Sequence, residues 1–357
     1  MLLKEKEIEA LYFLRQFPRS KVAVSFSGGK DSLVALHLAY RAGIRRAVFS
    51  DTTIESQKVI EFVKEVGTLF GIRIDIVRPR KSFWELIPFL GIPSVHNRWC
   101  CPTIKFQQLN EYAKKYGIKY YITGLRKDES LFRKEYEKIG TNPMLPYIIQ
   151  LNPIIDWSEK EVWEYIKKYE LPVPPGYKNG LLRNGCVICP YKSPKELEKV
   201  KKLEPEIWKK FEDFLNLYAH VFGIPNKEEF VRSGWRSWRP PTRRKVVGKI
   251  KIINNKNKIE LTNGLEKRDF KLLKIINKEK LNDLKKIKIL IEKELNCIGC
   301  GACLSLCPAD ALHINEMGVI DVDIKKCTHC YECLNSSKLR GGCVGRNYGL
   351  EIFVVEY

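Results

Sequence analysis

Ser25-Phe-Ser-Gly-Gly-Lys-Asp-Ser32 is the stretch on which the reading of this chain turns. It follows Lys21-Val-Ala-Val, a short apolar run of the kind a buried strand shows, and precedes a helical spacing from about Leu33 to Ala42. Between strand and helix, Gly28 and Gly29 let backbone N–H groups close around phosphate oxygens, and a helix N-terminus adds positive potential. Lys30 can neutralise a phosphate, Asp31 can hold Mg2+ through water, and Ser27 and Ser32 can donate hydrogen bonds. A Walker A loop needs four residues between its first Gly and its Gly-Lys, so motor and GTPase readings fail.

The same rhythm continues outward. Arg45 to Ser50 reads as a second strand ending in Asp51-Thr-Thr-Ile-Glu55, a helix runs to about Phe70, and Ile72 to Val77 is a third strand. Thr103 to Tyr116 (helix) and Ile118 to Thr123 (strand) follow, then the loop Gly124-Leu-Arg126. Alternating strands and helices predict an α/β domain with a parallel sheet, whose functional residues gather beyond the carboxyl ends of the strands. Ser158 before Glu161 reads as a capping box, Pro172 to Gly176 stops that helix, and two more helices are expected over Pro194–Leu203 and Pro205–Phe222. Short strands are expected at Lys249–Ile253 and Lys258–Leu261, whereas the lysine-rich piece from Glu266 to Ile291 gives no readable pattern.

The chain has 357 residues and a formal charge of +21, enough for two or three domains. No apolar run reaches 18 residues, and acids occupy the N-terminal positions where a signal peptide would be apolar, so a cytoplasmic protein without membrane contact is expected. Between Val231 and Glu294 stand twenty lysines and arginines against seven acids. Such a stretch suits a phosphate-rich partner, and equally a solvated lysine-rich surface.

Twelve cysteines in a reducing compartment point to metal, not to disulfides. Cys297, Cys300, Cys303 and Cys307, followed by Pro308, have the C-x2-C-x2-C-x3-C-P spacing of bacterial iron–sulfur proteins. Cys327, Cys330 and Cys333 form a second triplet, with Cys343 after nine further residues. A structural zinc site also uses C-x2-C pairs, but two triplets and the proline match cluster geometry better. The strands implied by His313-Ile-Asn and Gly318 to Asp321 fit a compact fold between the sets, and His329 is expected to face solvent. Four cysteines remain, Cys100 and Cys101 as a vicinal pair and Cys186 and Cys189 as a C-x2-C pair, which together can serve one more centre. No thiol is left over as a covalent nucleophile.

Four separated motifs now carry a resemblance: Ser27 to Ser32, Asp51 to Glu55, Thr123-Gly-Leu-Arg-Lys-Asp-Glu-Ser130, and Asn152-Pro-Ile-Ile-Asp-Trp-Ser158. Residues 1 to about 245 resemble the phosphoadenosine phosphosulfate (PAPS) reductase family of the PP-loop, or adenine nucleotide alpha-hydrolase-like, superfamily. Residues 295–357 resemble a two-cluster ferredoxin domain of α+β type. The resulting division is 1–235 for nucleotide binding, 236–294 as a basic linker or small subdomain, and 295–357 for two clusters.

The resemblance implies three [4Fe-4S] clusters. Cys297, Cys300, Cys303 and Cys343 would hold one, Cys327, Cys330, Cys333 and Cys307 a second, and Cys100, Cys101, Cys186 and Cys189 a third, as in adenylylsulfate (APS) reductases. It implies an adenine nucleotide (APS, PAPS or ATP, with Mg2+ if ATP) lying against Ser27, Gly28, Gly29, Lys30, Asp31, Ser32, Asp51 and Gly124, its adenine near the ends of Ala23–Phe26 and Phe49–Thr53. Lys30, Asp31 and Arg126 would be catalytic, Arg126 gripping the sulfate or phosphate end with Lys127 or Arg133 as helper; a planar guanidinium fork suits an oxyanion. The competing role for Arg126 is a salt bridge with Asp128 or Glu129.

Two departures divide the functional expectation. The family's C-terminal Glu-Cys-Gly-Leu-His segment is absent, and the intact Ser-Gly-Gly-Lys-Asp-Ser loop is more like that of ATP-cleaving relatives. One reading is reductive cleavage of APS or PAPS to sulfite, with electrons passing from an unidentified donor through the fused clusters. The second is an ATP-dependent adenylylating sulfurtransferase on tRNA or another nucleic acid, with Trp235 and Trp238 among Arg232, Arg236, Arg239, Arg243 and Arg244 as its stacking surface. The third is an electron-transfer adaptor. A homo-oligomer is compatible with all three.

Overall fold

The computed structural model describes residues 2–239, 249–252, 259–262, 271–276, 284–334 and 343. Arg243 and Arg244 lie outside them. Two compact units divide the chain, one comprising 1–83 and 104–236, the other 84–103 and 237–357.

In the first unit α1 (Leu3–Arg15) precedes β1 (Val22–Ser25), α2 (Lys30–Arg41), β2 (Arg46–Ser50), α3 (Gln57–Phe70) and β3 (Arg73–Val77). After α4 (Phe83–Leu90), which begins at the unit boundary, come α5 (Gln107–Tyr116), β4 (Tyr120–Ile122), the hairpin β5 (Ile139–Asn142) and β6 (Leu145–Leu151), and α6 (Glu159–Lys168). The unit ends with α7 (Pro175–Lys178), α8 (Pro194–Leu203), α9 (Pro205–Val221) and α10 (Lys227–Arg232). The six strands run in the order β3-β2-β1-β4-β6-β5, parallel except for β5. Strand alternation sends Val22 and Val24 to one face, against α2 and α3, and Ala23 to the other, against Leu109 and Tyr112 of α5. The parallel-sheet α/β expectation therefore holds.

Several boundaries differ from the sequence reading. The helix after the loop starts at Lys30, three residues early, which puts Lys30, Asp31 and Ser32 in its first turn. The expected helix from Thr103 splits into a π-helical turn, Pro102–Phe106, and α5. The capping box at Ser158 is present, its hydroxyl accepting from the Glu161 N–H.

Away from the loop, α2 carries His37 into an aromatic box of Tyr40, Phe70, Tyr165 and Tyr169. Burial, together with the Arg41 charge, holds the imidazole down at about 4. The unfolded chain then takes up the proton first as pH falls below 6.5, so His37 costs stability between pH 6.5 and 4, about 3 kcal/mol in full. The Glu7 carboxylate, held low by Lys168, Tyr169 and Arg41 against the opposing effect of burial, loses its contribution only below the ordinary carboxylate range. A proton NMR titration of the histidine rings should show one titrating near 4 that disappears in His37→Phe. All rings titrating near 6.5 would refute the box.

The second unit contains the hairpin β7 (Lys249–Ile252) and β8 (Ile259–Thr262), then α11 (Leu284–Leu295), and the hairpin β9 (Leu312–Ile314) and β10 (Ile320–Val322). Leu272, Ile275, Leu290 and Ile291, from the stretch read as a basic linker, pack into one apolar cluster with Cys303, Cys307, Leu312, Ile320 and Cys333. That stretch is therefore in part core. His329 corrects another expectation: it is half-buried, and its Nδ1 donates to the Ile275 carbonyl at 2.8 Å.

Candidate functional site

The strand order reverses beside β1: the chain moves from β1 outward to β2 and β3, then returns to place β4 on the other side. A crevice beyond the carboxyl ends of β1 and β4 follows from that switch. The loop after β1 and the loop after β4 meet there. Gly28 takes φ of 72°, and a Cβ on it would stand 2.9 Å from Val59, so the turn needs glycine. Ser27 and Ser32 share a hydroxyl contact of 3.0 Å, and the Ser32 hydroxyl also reaches the Gly29 carbonyl at 2.9 Å. Asn184 donates to the Gly28 carbonyl at 2.8 Å. The loop is thus braced at the start of α2, where the Lys30 N–H meets the Tyr177 hydroxyl and a helix leaves its first N–H groups without intrahelical partners.

Charge is dense around this loop. Lys30 is buried, with its ammonium 3.0 Å from Asp31, 3.4 Å from Glu159, and over the Tyr177 ring. Burial works against its charge, but Asp31, Tyr177 and Glu159 outweigh it and hold the group above its ordinary value. Arg126 is 2% exposed; its Nε donates to Asp31 at 2.6 Å, and its Nη1 donates to Asp128 at 3.2 Å and to the Trp157 carbonyl at 3.3 Å. The salt bridge to Asp128 is thus present together with a bond to the loop itself. Gly124 lies directly on the start of α2: a Cβ there would be 2.5 Å from Asp31 C and Ser32 N. Thr123 and Asn152, from two of the sequence motifs, are joined at 2.5 Å.

The helpers are distributed differently from the sequence reading. Lys127 is taken by Asp156 at 2.7 Å. Arg133 pairs with Glu129, and its guanidinium is pushed down by burial and by the charge of Arg183, with Arg126 also contributing. Arg183 was missed in the sequence because it sits in a loop without a motif. Asp51 is buried and accepts from the Thr53 N–H at 2.9 Å and from Arg78 at 2.8 Å. Trp235 is fully buried against Trp208 and Phe211, which removes it from any stacking surface. Arg236 is spent on the Pro190 carbonyl.

Beside Asp51, Glu55 takes a hydrogen bond from Thr52 on one oxygen, while its buried Oε2 has no partner among the described residues. Thr52 also reaches Cys186 Sγ at 3.5 Å. Burial, followed by the Glu55 charge, pushes the Cys186 thiol well up. A thiolate at that position calls for a compensating cation, which suits a metal ligand. Cys186 and Cys189 belong to the first unit and Cys100 and Cys101 to the second.

In the second unit the cysteines sort into two sets. The thiol neighbours of Cys303 are Cys343, Cys300 and Cys297; those of Cys333 are Cys307, Cys330 and Cys327. Cys307, Cys327, Cys330 and Cys333 also line one recess. Backbone N–H groups already face sulfur, Ile320 to Cys297 at 3.1 Å and Ala311 to Cys307 at 3.4 Å, as a cluster's thiolates require. Among the described residues no three His, Cys, Asp or Glu converge on a single metal-ion position; a four-iron cube spreads its four thiolates over four metals. Donor type and grouping fit two such cubes.

Residues 21–192 match the phosphoadenosine phosphosulfate reductase domain, and residues 296–336 the 4Fe-4S dicluster domain. The uncharacterized protein MJ0973 of Methanocaldococcus jannaschii is 33% identical over 240 residues, 66% of this chain and 56% of that protein. Adenosine 5'-phosphosulfate reductase 2 of Bacillus subtilis is 26% identical over 192 residues, 53% of this chain and 80% of the reductase. A phosphoadenylyl-sulfate (PAPS) reductase structure from Candida auris covers 52% of this chain and 93% of its own at 19% identity, with a TM-score of 0.41. The chain spans about half the length of the two Methanocaldococcus relatives it matches. No helix among the described residues is long and apolar enough to cross a membrane. With loop, switch point and sorted cysteines in place, the chain is one that joins a PAPS reductase domain of the PP-loop fold to a C-terminal 4Fe-4S dicluster domain.

Proposed function

We propose that the protein is an iron–sulfur oxidoreductase that binds APS or PAPS over the Ser27–Ser32 loop and cleaves it reductively to sulfite. The observation that carries this reading is the joining, in one chain, of that loop and its arginines to a dicluster domain. In the reaction the bond between sulfur and the bridging phosphate oxygen breaks. Sulfur takes two electrons and leaves as sulfite, while the oxygen stays on AMP or adenosine 3′,5′-bisphosphate. The clusters, when bound, supply one-electron transfers from an external donor.

The chain's own residues do the positioning. Lys30 and the first-turn amides of α2 hold the α-phosphate, and Arg133 and Arg183 meet the sulfate. Arg126 keeps Asp31 and the loop in place. The sequence reading leaves no cysteine outside a cluster, so sulfur leaves without a protein thiosulfonate. Replacing Lys30 or Asp31 by alanine should weaken nucleotide binding at least tenfold, about 1.4 kcal/mol; calorimetric binding unchanged in both would sink the reading.

A second reading has one observation behind it. The intact loop suits ATP-dependent adenylylation of a carbonyl or nucleobase oxygen before sulfur is installed, on tRNA or another nucleic acid, although both Asp31 oxygens are taken, by Lys30 and by Arg126. Burial of Trp235 weakens it. The deciding experiment is anaerobic turnover of the reconstituted protein with a low-potential reductant, offering APS, PAPS and Mg-ATP separately. Sulfite with AMP or adenosine 3′,5′-bisphosphate is expected. AMP and pyrophosphate from ATP, stimulated by tRNA, would replace the first reading by the second.

A further inference from the structure

Lys293 sits in the last turn of α11, four residues before Cys297, and is 1% exposed. Among the described residues of its unit it is the one buried cation. Among the described residues no carboxylate pairs with it. Its ammonium donates to the Cys333 carbonyl at 2.9 Å, and the charges acting on it are those of Cys303, Cys333, Cys343 and Cys297, drawn from both cysteine sets. An uncompensated ammonium at such depth is costly, so anionic neighbours are needed to keep it charged. Its neighbour in sequence, Glu294, is occupied elsewhere, accepting from the backbone N–H groups of Lys271 and Leu272 at 3.3 and 3.0 Å.

We infer that Lys293 is a fixed buried counter-charge shared by the two cysteine sets, a positioning residue that raises the reduction potential of both clusters. The inference rests on the reading that these eight cysteines hold two [4Fe-4S] clusters. A four-thiolate cluster becomes more negative on reduction, and a cation held in a low-dielectric interior favours the more negative state. The helix dipole strengthens the placement, because the carboxyl end of α11 is where a cation is favoured. Since α11 runs straight into Cys297, one rigid element sets the position of both the charge and the first ligand. A lysine serving only as a clamp on the Cys333 carbonyl would act through geometry and not through charge.

The test is an EPR-monitored redox titration of the anaerobically reconstituted full chain. Lys293→Gln keeps a donor for the carbonyl and removes the charge, whereas Lys293→Arg keeps the charge. For Gln, the ratio of reduced to oxidised cluster at a fixed potential should fall at least tenfold for both couples, which is about 59 mV for a one-electron step. Arg should stay within threefold of wild type. Potentials unchanged in Gln, with or without lower cluster loading, would overturn the inference and leave the clamp. Should Gln fail to load, Lys293→Met is reconstituted beside Arg. Loading by Arg alone shows that charge is required and supports the inference; failure of all three variants, or loading by Met at wild-type potential, overturns it. A wild type without a [4Fe-4S] signal would instead sink the cluster reading on which the inference stands.

Discussion

An alanine at Gly124 should lower nucleotide affinity a hundredfold or more and destabilise the first unit by about 3 kcal/mol, the upper end of ordinary overpacking. The reason is that the added methyl would meet main chain and not a side chain: Asp31 C and Ser32 N at 2.5 Å and Asp31 O at 2.7 Å. No rotamer change relieves that contact, so either the loop after β4 or the start of α2 must move. Either movement breaks the 2.6 Å bond from Arg126 to Asp31 and turns the first-turn amides away from the crevice. Gly140→Ala is the control, because its nearest neighbour would be the Asn152 side chain at 3.8 Å; its effect should stay within about 0.5 kcal/mol. Thermal unfolding and calorimetric nucleotide binding read both variants. A Gly124→Ala protein that binds within threefold of wild type would show that the two loops do not form one site.

Serine at Cys307 should remove the same cluster signal as serine at Cys327, and leave the one that Cys300→Ser removes. In sequence Cys307 closes the first run, but in space it shares a recess with Cys327, Cys330 and Cys333. Iron content should fall by about four atoms per chain in each variant, with EPR of the reduced protein identifying which signal is lost. If Cys307→Ser and Cys300→Ser lose the same signal, the pairing is wrong and each run serves its own cluster. A zinc-loaded protein without an EPR signal would remove the cluster assignment altogether.

Much of this site was legible because its chemistry is written in short range. Gly-Gly between an apolar run and a helix gives the loop, cysteine spacing gives the two runs, and the family resemblance gives the exchange of Cys307 and Cys343 between them. The sequence misplaced the start of α2 because Lys30, Asp31 and Ser32 are polar and carry no apolar periodicity, although their N–H groups are what the loop needs. The β5–β6 hairpin was missed for a different reason: Pro143 and Pro146 fall within it, and proline carries no strand signal. Pro146 is tolerated because pairing of β6 with β4 begins only at Ile149. Lysines throughout 284–295 hid α11, whose apolar side is Leu290 and Ile291, and Lys293 broke the pattern by being buried. Trp235 was misassigned because an aromatic among arginines looks the same in sequence whether it faces solvent or core. Arg183 had no local signal at all, since only the fold brings its charge near Arg133.

The second unit is assembled from two separated pieces of chain, and this affects how the protein is made. Trp84–Thr103 leaves the ribosome first, and the whole of Ile104–Arg236 is synthesised before Ser237 and the residues after it appear. Yet the Ser94 hydroxyl needs the Trp238 carbonyl, at 2.6 Å. At about 5–20 residues per second, the early piece waits on the order of ten seconds for its partner. Cys100 and Cys101 spend that interval outside their finished surroundings as adjacent reduced thiols. Translation therefore sets the timetable: a nascent chain stalled before Ser237 would present the vicinal pair without the fold that receives it.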